Sequence, residues 1–244
     1  MMISIKNITK KFNNFYAVKN INFSIEENKT LGLLGPNGCG KTTSIGMLLG
    51  LIKPTHGNIL INNKDINQID RCELLSTMNF ASPYIELPKK LTVSENLEIY
   101  ARLYGVKNLK ERINQIANDL NLNSFLKKKT GELSSGQKTR ISLAKALINK
   151  PKILFLDEPT ASLDPDVGDF VRNYIENYKS KNNITILLAS HNMKEVERLC
   201  DSVIMMKSGE IVDRGTCSQL IDKHGRSNLE DVFLKIVRSK NAMA

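Results

Sequence analysis

Residues 35–42 read Gly35-Pro36-Asn37-Gly38-Cys39-Gly40-Lys41-Thr42, a GxxxxGK[ST] phosphate loop that continues into Thr43. An apolar run at 31–34 precedes the loop, and a helix-like stretch over 43–51 follows it. A strand, a loop and a helix N-terminus in that order aim successive backbone N–H groups at one small volume. Lys41 adds a point charge suited to the β- and γ-phosphates, and the Thr42 hydroxyl is placed to ligate Mg²⁺. This stretch implies a bound nucleoside triphosphate, and it makes the local fold a strand, a phosphate-cradling loop and a helix.

Composition bounds the rest. A chain of 244 residues, 41% hydrophobic and 25% charged, can bury one substantial core, or one core with a small appended lobe. No apolar run approaches the roughly 18 residues of a membrane span, and the opening MMISIKNITKKF lacks an apolar h-region behind a basic segment. The chain is therefore expected in the cytoplasm, at a membrane only through a partner. Cys39, Cys72, Cys200 and Cys217 form no CxxC pair, which suggests neither a zinc knuckle nor a disulfide framework. The formal charge of +10 is spread over lysines without the aromatic interleaving that stacks bases, so nucleic acid is disfavoured as a partner. One local basic excess stands out over 102–129: Arg102, Lys107, Lys110, Arg112 and Lys127 to Lys129 outweigh Glu111 and Asp119.

Along the chain, Ile3, Ile5 and Ile8, then Val18, Ile21, Phe23 and Ile25, alternate as half-buried strands do. The run GNILINNKDI over 57–66 reads as a hairpin, because Asn62-Asn63 can take the positive φ values of a tight turn. Together these predict an antiparallel β flank. The loop's strand, then 77–81, 153–156 and 184–189, are short apolar runs separated by helical segments, the alternation of a parallel sheet buried on both faces. Thr92-Val93-Ser94-Glu95 is a capping box opening a helix through Leu97, Tyr100, Ala101 and Tyr104, which Gly105 stops. A second helix carries Leu109, Ile113, Ile116 and Leu120. Residues 91–148 thus form an inserted α-helical lobe.

Downstream chemistry decides what the nucleotide is for. The strand 153–156 ends in Asp157 and Glu158, two carboxylates at the carboxyl edge where ligands of open α/β sheets sit. Asp157 would hold Mg²⁺ directly or through water, and Glu158 would accept a proton from an attacking water; the alternative is a pair of solvated turn carboxylates. In Leu133-Ser134-Ser135-Gly136-Gln137, Ser134 is a plausible N-cap for a helix with Ile141, Leu143, Ala144, Leu147 and Ile148 on its apolar positions. Its first turn makes a second anion site.

Taken together, GPNGCGKTT, LSSGQ, ILFLDEP, Ser162-Leu163-Asp164 and His191 occur in an order that resembles the nucleotide-binding subunit of an ABC transporter, over nearly the whole chain. The resemblance implies a P-loop NTPase of ABC type: α/β, with a RecA-like parallel-sheet core, the antiparallel flank and the helical lobe. It implies a single ABC domain over 1–244, with core and flank at 1–90 and 149–225, the lobe at 91–148 and a C-terminal helix at 226–244. Two cassettes, as homodimer or heterodimer, would pair head to tail on ATP and Mg²⁺ and drive a separate polytopic permease. Ser134, Ser135, Gly136 and Gln137 would reach the nucleotide held by the partner cassette, Asp164 would connect the two sites, and His191 would contact the γ-phosphate. Phe12 matches the family's adenine-stacking aromatic, with a core position as its competitor and Phe15 or Tyr16 as other stackers. His56 and His224 read as structural or surface residues.

Two departures from the family stand out. Ser135 replaces the first glycine of LSGGQ, a small change because a hydroxyl can still approach phosphate. No glutamine stands at the end of the strand before the lobe: Phe80-Ala81-Ser82-Pro83-Tyr84 puts Ser82 or Pro83 there, with Gln68 too early and Gln115 too late. The closing NLEDVFLKI, 228–236, resembles the C-terminal helix of ABC-2 exporters, with no additional C-terminal regulatory domain of the kind found on many sugar importers, and so points to export. A soluble ABC protein acting on nucleic acid, on the ribosome or in assembly is the alternative class. A small-molecule kinase is a weaker one, since LSSGQ and the carboxylate pair have no task in it. Cys39, set among N–H donors and beside Lys41, is expected to lean towards thiolate.

Overall fold

The computed structural model describes residues 1–83, 86–161 and 163–238. In chain order the elements begin β1 (Ile3–Phe12), β2 (Phe15–Ile25), β3 (Thr30–Leu34), α1 (Lys41–Leu48), β4 (His56–Ile61), β5 (Lys64–Asp65), α2 (Arg71–Ser76) and β6 (Met78–Ala81). Next come α3 (Val93–Leu103), α4 (Leu109–Asp119), α5 (Ser135–Leu147), β7 (Ile153–Asp157) and α6 (Pro165–Asn182). The chain continues through β8 (Thr185–Ser190), α7 (Met193–Leu199), β9 (Ser202–Lys207), β10 (Glu210–Gly215), α8 (Cys217–His224) and α9 (Leu229–Arg238). Contacts group the chain into two compact units, residues 1–70 with 185–244, and residues 71–184.

The first unit holds two β systems. In the flank, β2, β1, β4 and β5 lie in that order and pair antiparallel, with Ile3 opposite both Ile25 and Ile61. The isoleucines expected to face inward do so: Ile3, Ile5, Ile8, Ile21 and Ile25 are buried. Asn62 and Asn63 have φ of 49° and 61° and close the tight turn between β4 and β5, as the sequence predicts. The second system runs β10, β9, β3, β8, with β3 parallel to both β8 and β9 and β10 antiparallel at the edge. Every residue of β3 and β8 is buried, as a parallel strand covered on both faces requires. The helix after the phosphate loop is placed differently from the expectation. It starts at Lys41 rather than 43, because Gly40 serves as N-cap, and ends at Leu48 rather than 51, because the chain turns at Gly50 with φ of 66°. At the far end, α9 sets Leu229 and Val232 against Leu34, Val196 and Leu220; each such buried side chain contributes about 1.5–3 kcal/mol.

In the second unit β6 and β7 pair in parallel, with Phe80 opposite Phe155. Helices α3, α4 and α5 follow one another between residues 93 and 147, with a longer connection of two short 3-10 turns between α4 and α5. The capping box at the start of α3 forms: the Glu95 N–H donates to Thr92 Oγ1 at 3.2 Å, and the Thr92 N–H donates to Glu95 Oε2 at 2.7 Å. Such a cap stabilises by about 1 kcal/mol. Arg112, counted in the basic excess, is not a surface charge. It is buried and donates to the Ile148 and Leu147 carbonyls at 3.1 and 2.5 Å, satisfying the C-terminal end of α5. Among the described residues no helix is long and apolar enough to cross a membrane.

Candidate functional site

The phosphate loop follows β3 directly and feeds α1. Gly40, the N-cap, has φ of 108° and brings no side chain of its own to the first turn of α1, whose N–H groups point back along the helix axis towards the loop. Asn37 and Gly38 face outward while Cys39 points into the core. Lys41 is 6% exposed, and its ammonium folds back to donate to the carbonyls of Gly35 at 2.6 Å and Pro36 at 3.2 Å. A buried ammonium is costly unless held by acceptors, and these two carbonyls hold its positive charge against the loop backbone. Thr42 lies exposed on the first turn and Thr43 half-buried beside it.

The expected thiolate character of Cys39 is overturned. Burial raises its thiol above the ordinary value, and this outweighs the lowering influence of Lys41 and of backbone N–H donors. The sulfur packs so close to Gly35 that a methyl group there would overlap it. Cys39 is core filler. We expect maleimide labelling of the native protein, read by peptide mass spectrometry, to modify exposed Cys72 at least about tenfold faster than Cys39, and denaturant to erase the difference. Equal native rates would restore the reactive-thiol reading.

His191 sits after β8 in a turn braced by its neighbours. Ser190 and Glu195, both fully buried, share a hydrogen bond of 2.6 Å; the Asn192 N–H donates to Ser190 Oγ at 3.1 Å, and Asn192 Oδ1 accepts the Glu195 N–H at 3.3 Å. This frame leaves the His191 residue exposed. Sequence reading missed Ser190 and Glu195; the spacing Ser-x-Asn-x-x-Glu before an apolar helix was the available signal. His224, by contrast, bonds Asp213 Oδ2 at 2.7 Å and is structural, as expected. Phe12 ends β1 at 46% exposure, which removes the core alternative; Phe15 and Tyr16 are exposed too, and Lys10 stands 4.7 Å from the Phe12 ring centre.

In the second unit, Asp157 is the last residue of β7 and Glu158 follows it; both are buried, and Glu158 has φ of 52°. A left-handed conformation at a buried glutamate costs roughly 1–3 kcal/mol and persists only where the surroundings impose it, a pattern that concentrates at functional sites. Ser134 and Gln137 form a reciprocal cap: Gln137 N–H to Ser134 Oγ at 3.3 Å, Ser134 N–H to Gln137 Oε1 at 3.0 Å. Their side chains are thereby committed to the helix start, while Ser135 is exposed on its first turn. A methyl on Gly136 would come within 3.1 Å of Val167 at the start of α6, so only glycine fits that approach without displacing Val167. Asp164 is the N-cap of α6, but its carboxylate makes no cap bond, and Pro165 occupies the first helical turn. Ser162, grouped with Leu163 and Asp164 above, lies outside the described residues. Ser82 is buried and, with Pro83, borders a cavity of about 320 Å³.

A glycine-rich loop joining a buried parallel strand to a helix N-terminus, with its lysine seated on it, defines a P-loop NTPase. The family described as ABC transporter matches residues 18–161. The chain belongs to that family, as one of its ATP-binding ATPases. It is 33% identical to the ABC transporter ATP-binding protein NatA of Bacillus subtilis, over 97% of this chain and 99% of that one. It is also 32% identical to the spermidine/putrescine import ATP-binding protein PotA of Clostridium acetobutylicum, over 88% of this chain and 61% of that protein. Among solved structures, a dimeric post-hydrolysis state of the ATP-binding cassette MJ0796 bound to ADP and Pi matches with TM-score 0.81 at 28% identity, covering 88% of this chain and 98% of that one. Relatives of similar identity carry import and export names alike, so kinship does not set a direction of transport.

Proposed function

We propose that this protein is the ATP-hydrolysing subunit of an ABC exporter, which pairs with a second cassette on binding ATP and drives a separate polytopic membrane subunit from the cytoplasmic face. The observation that carries the reading is the phosphate loop, which sets the first-turn N–H groups of α1 directly after Gly40 beside a buried Lys41 that donates to the Gly35 and Pro36 carbonyls. In the proposed cycle those groups and Lys41 hold the β- and γ-phosphates, and Phe12 stacks on the adenine. Glu158 accepts a proton from the attacking water, and His191 contacts the γ-phosphate and orients the attack. Ser135, Gly136 and the helix start after Ser134 close on the nucleotide of the partner cassette, with Gln137 securing that helix start and Asp164 linking the two sites.

Thr42 and Asp157 would supply the protein oxygens for Mg²⁺, which when bound neutralises phosphate charge. A donor set of this kind fits a hard cation that takes one or two protein oxygens and completes its shell from phosphate and water.

Export is supported by the resemblance of α9 and its flanks to the ABC-2 C-terminal helix. Dimerisation is supported by the likeness to the dimeric MJ0796 cassette. Co-expression with a polytopic partner encoded beside the gene tests the whole reading: the chain is expected in the membrane fraction only with that partner. RNase-sensitive sedimentation in its place would favour the nucleic-acid or ribosome class.

A further inference from the structure

The end of β6 and the residue that follows it, where the family's glutamine would stand, are tied by side chains to α5, the helix that begins at the signature. Lys145 Nζ donates to the Phe80 carbonyl at 3.0 Å, and one turn earlier Ser142 Oγ reaches the Ser82 carbonyl at 3.4 Å. Just beyond the end of α5, Asn149 Oδ1 accepts from Asn79 Nδ2 at 2.9 Å while its own amide donates to the Ser76 carbonyl at 3.0 Å. The Asn79 amide also reaches the Lys145 carbonyl at 3.3 Å, and Tyr104, just after α3, donates to Asn79 Oδ1 at 3.3 Å. Segment and helix are thus joined through Asn79, Phe80 and Ser82.

Lys145 is the costly member of this set. Its ammonium sits 5.5 Å from the Tyr100 ring centre, and burial pushes its pKa down to about 8. A leucine or methionine would fill the same space without desolvating a charge. What the lysine supplies, and an apolar residue cannot, is a donor that reaches the Phe80 carbonyl.

We propose that Lys145 is a positioning residue that locks segment 79–82 to the signature helix, so that the two move as one piece through the ATP cycle. The proposal rests on the reading above that LSSGQ engages nucleotide. A glutamine at the segment's end could report on nucleotide only through its own long side chain; here the backbone itself is bolted to the helix whose start faces the nucleotide.

Lys145→Met removes the donor and keeps the bulk, and Lys145→Arg keeps a donor. Hydrogen exchange of the 78–83 amides is expected to accelerate about tenfold in the methionine variant, with nucleotide affinity within about twofold of wild type. We expect kcat for ATP hydrolysis to fall about five- to tenfold at unchanged KM, and arginine to restore both exchange and kcat. The half-buried amine adds a pH readout. Since its folded pKa of about 8 lies below the ordinary 10.5, the unfolded chain binds more protons between those values. The wild type should therefore gain stability relative to Lys145→Met as pH rises through that window. Unchanged exchange in Lys145→Met, or faster exchange with unchanged kcat, overturns the lock. If the methionine variant does not fold, Asn149→Ala carries the same exchange and kcat comparison. If the wild type hydrolyses no ATP, the functional reading fails, while the exchange and pH measurements still decide whether the lock exists.

Discussion

Glu158→Gln is expected to keep nucleotide affinity within about threefold and to lose about 10² to 10⁴ of the hydrolysis rate. The substitution conserves shape at a buried position, so the left-handed backbone at residue 158, with φ of 52°, has no new clash to absorb. What it removes is basicity. An amide cannot take a proton from water, and loss of a positioned general base costs rates of that order. Because the protein is proposed to pair on ATP and separate after hydrolysis, the variant should also accumulate as an ATP-bound dimer. Phosphate release under single-turnover conditions, and size-exclusion chromatography with and without Mg-ATP, measure the two effects separately. Turnover equal to wild type would remove Glu158 from the mechanism and leave its strained backbone without a functional account.

Much of this was legible because the informative residues carry local physics. A glycine-rich loop between an apolar run and a helix start has one common structural outcome, and Asn62-Asn63 between alternating isoleucines has one common turn. The capping box at Thr92 and the N-cap at Ser134 formed because each needs only its own few residues, and Gln137 completes a box at Ser134 as well. Less visible were β9 and β10. The run SVIMMKSGEIVDRG alternates around Ser208-Gly209, whose φ values of 50° and 82° make another tight turn, so the hairpin signal was present and went unread.

Other features depend on tertiary surroundings that no local pattern encodes. Cys39 is next to Lys41 in sequence, which suggested a thiolate, but its side chain turns into the core and burial decides its protonation. Arg112 sits in a basic stretch yet is consumed by the carbonyls at the end of α5, 35 and 36 residues away in sequence. The lock at Lys145 depends on a contact across 65 residues and could not be read from either partner alone. Frames such as Ser190 with Glu195 fall between these cases: local in sequence, but recognisable only once the turn around His191 is known.

The phosphate loop offers a test in which strain and steric overlap separate. Gly40 has φ of 108°, and a methyl added there would come within 2.5 Å of the Ala17 carbonyl oxygen and 3.1 Å of Val18 Cγ2. Gly38 has φ of 78°, but a methyl there meets nothing within 4 Å. Both alanine variants incur the cost of a left-handed L-residue, on the order of 1 kcal/mol. Only Gly40→Ala must also push against backbone in β2, which cannot rotate away as a side chain could. For Gly40→Ala we expect a loss of about 3 kcal/mol or more, which for a chain of this size is a fall in Tm of about 6–12 °C. Gly38→Ala should fall by about 2–4 °C on the same scale. Thermal melts of the two variants beside wild type read the stability difference, and nucleotide titration at a temperature where all three are folded reads the loop itself. Gly40→Ala should bind at least about tenfold more weakly, because moving Gly40 displaces the N-cap that orients the first-turn donors. Equal destabilisation in the two variants would mean that the contact with Ala17 yields without cost, and the rigidity assigned to this loop would have to be given up.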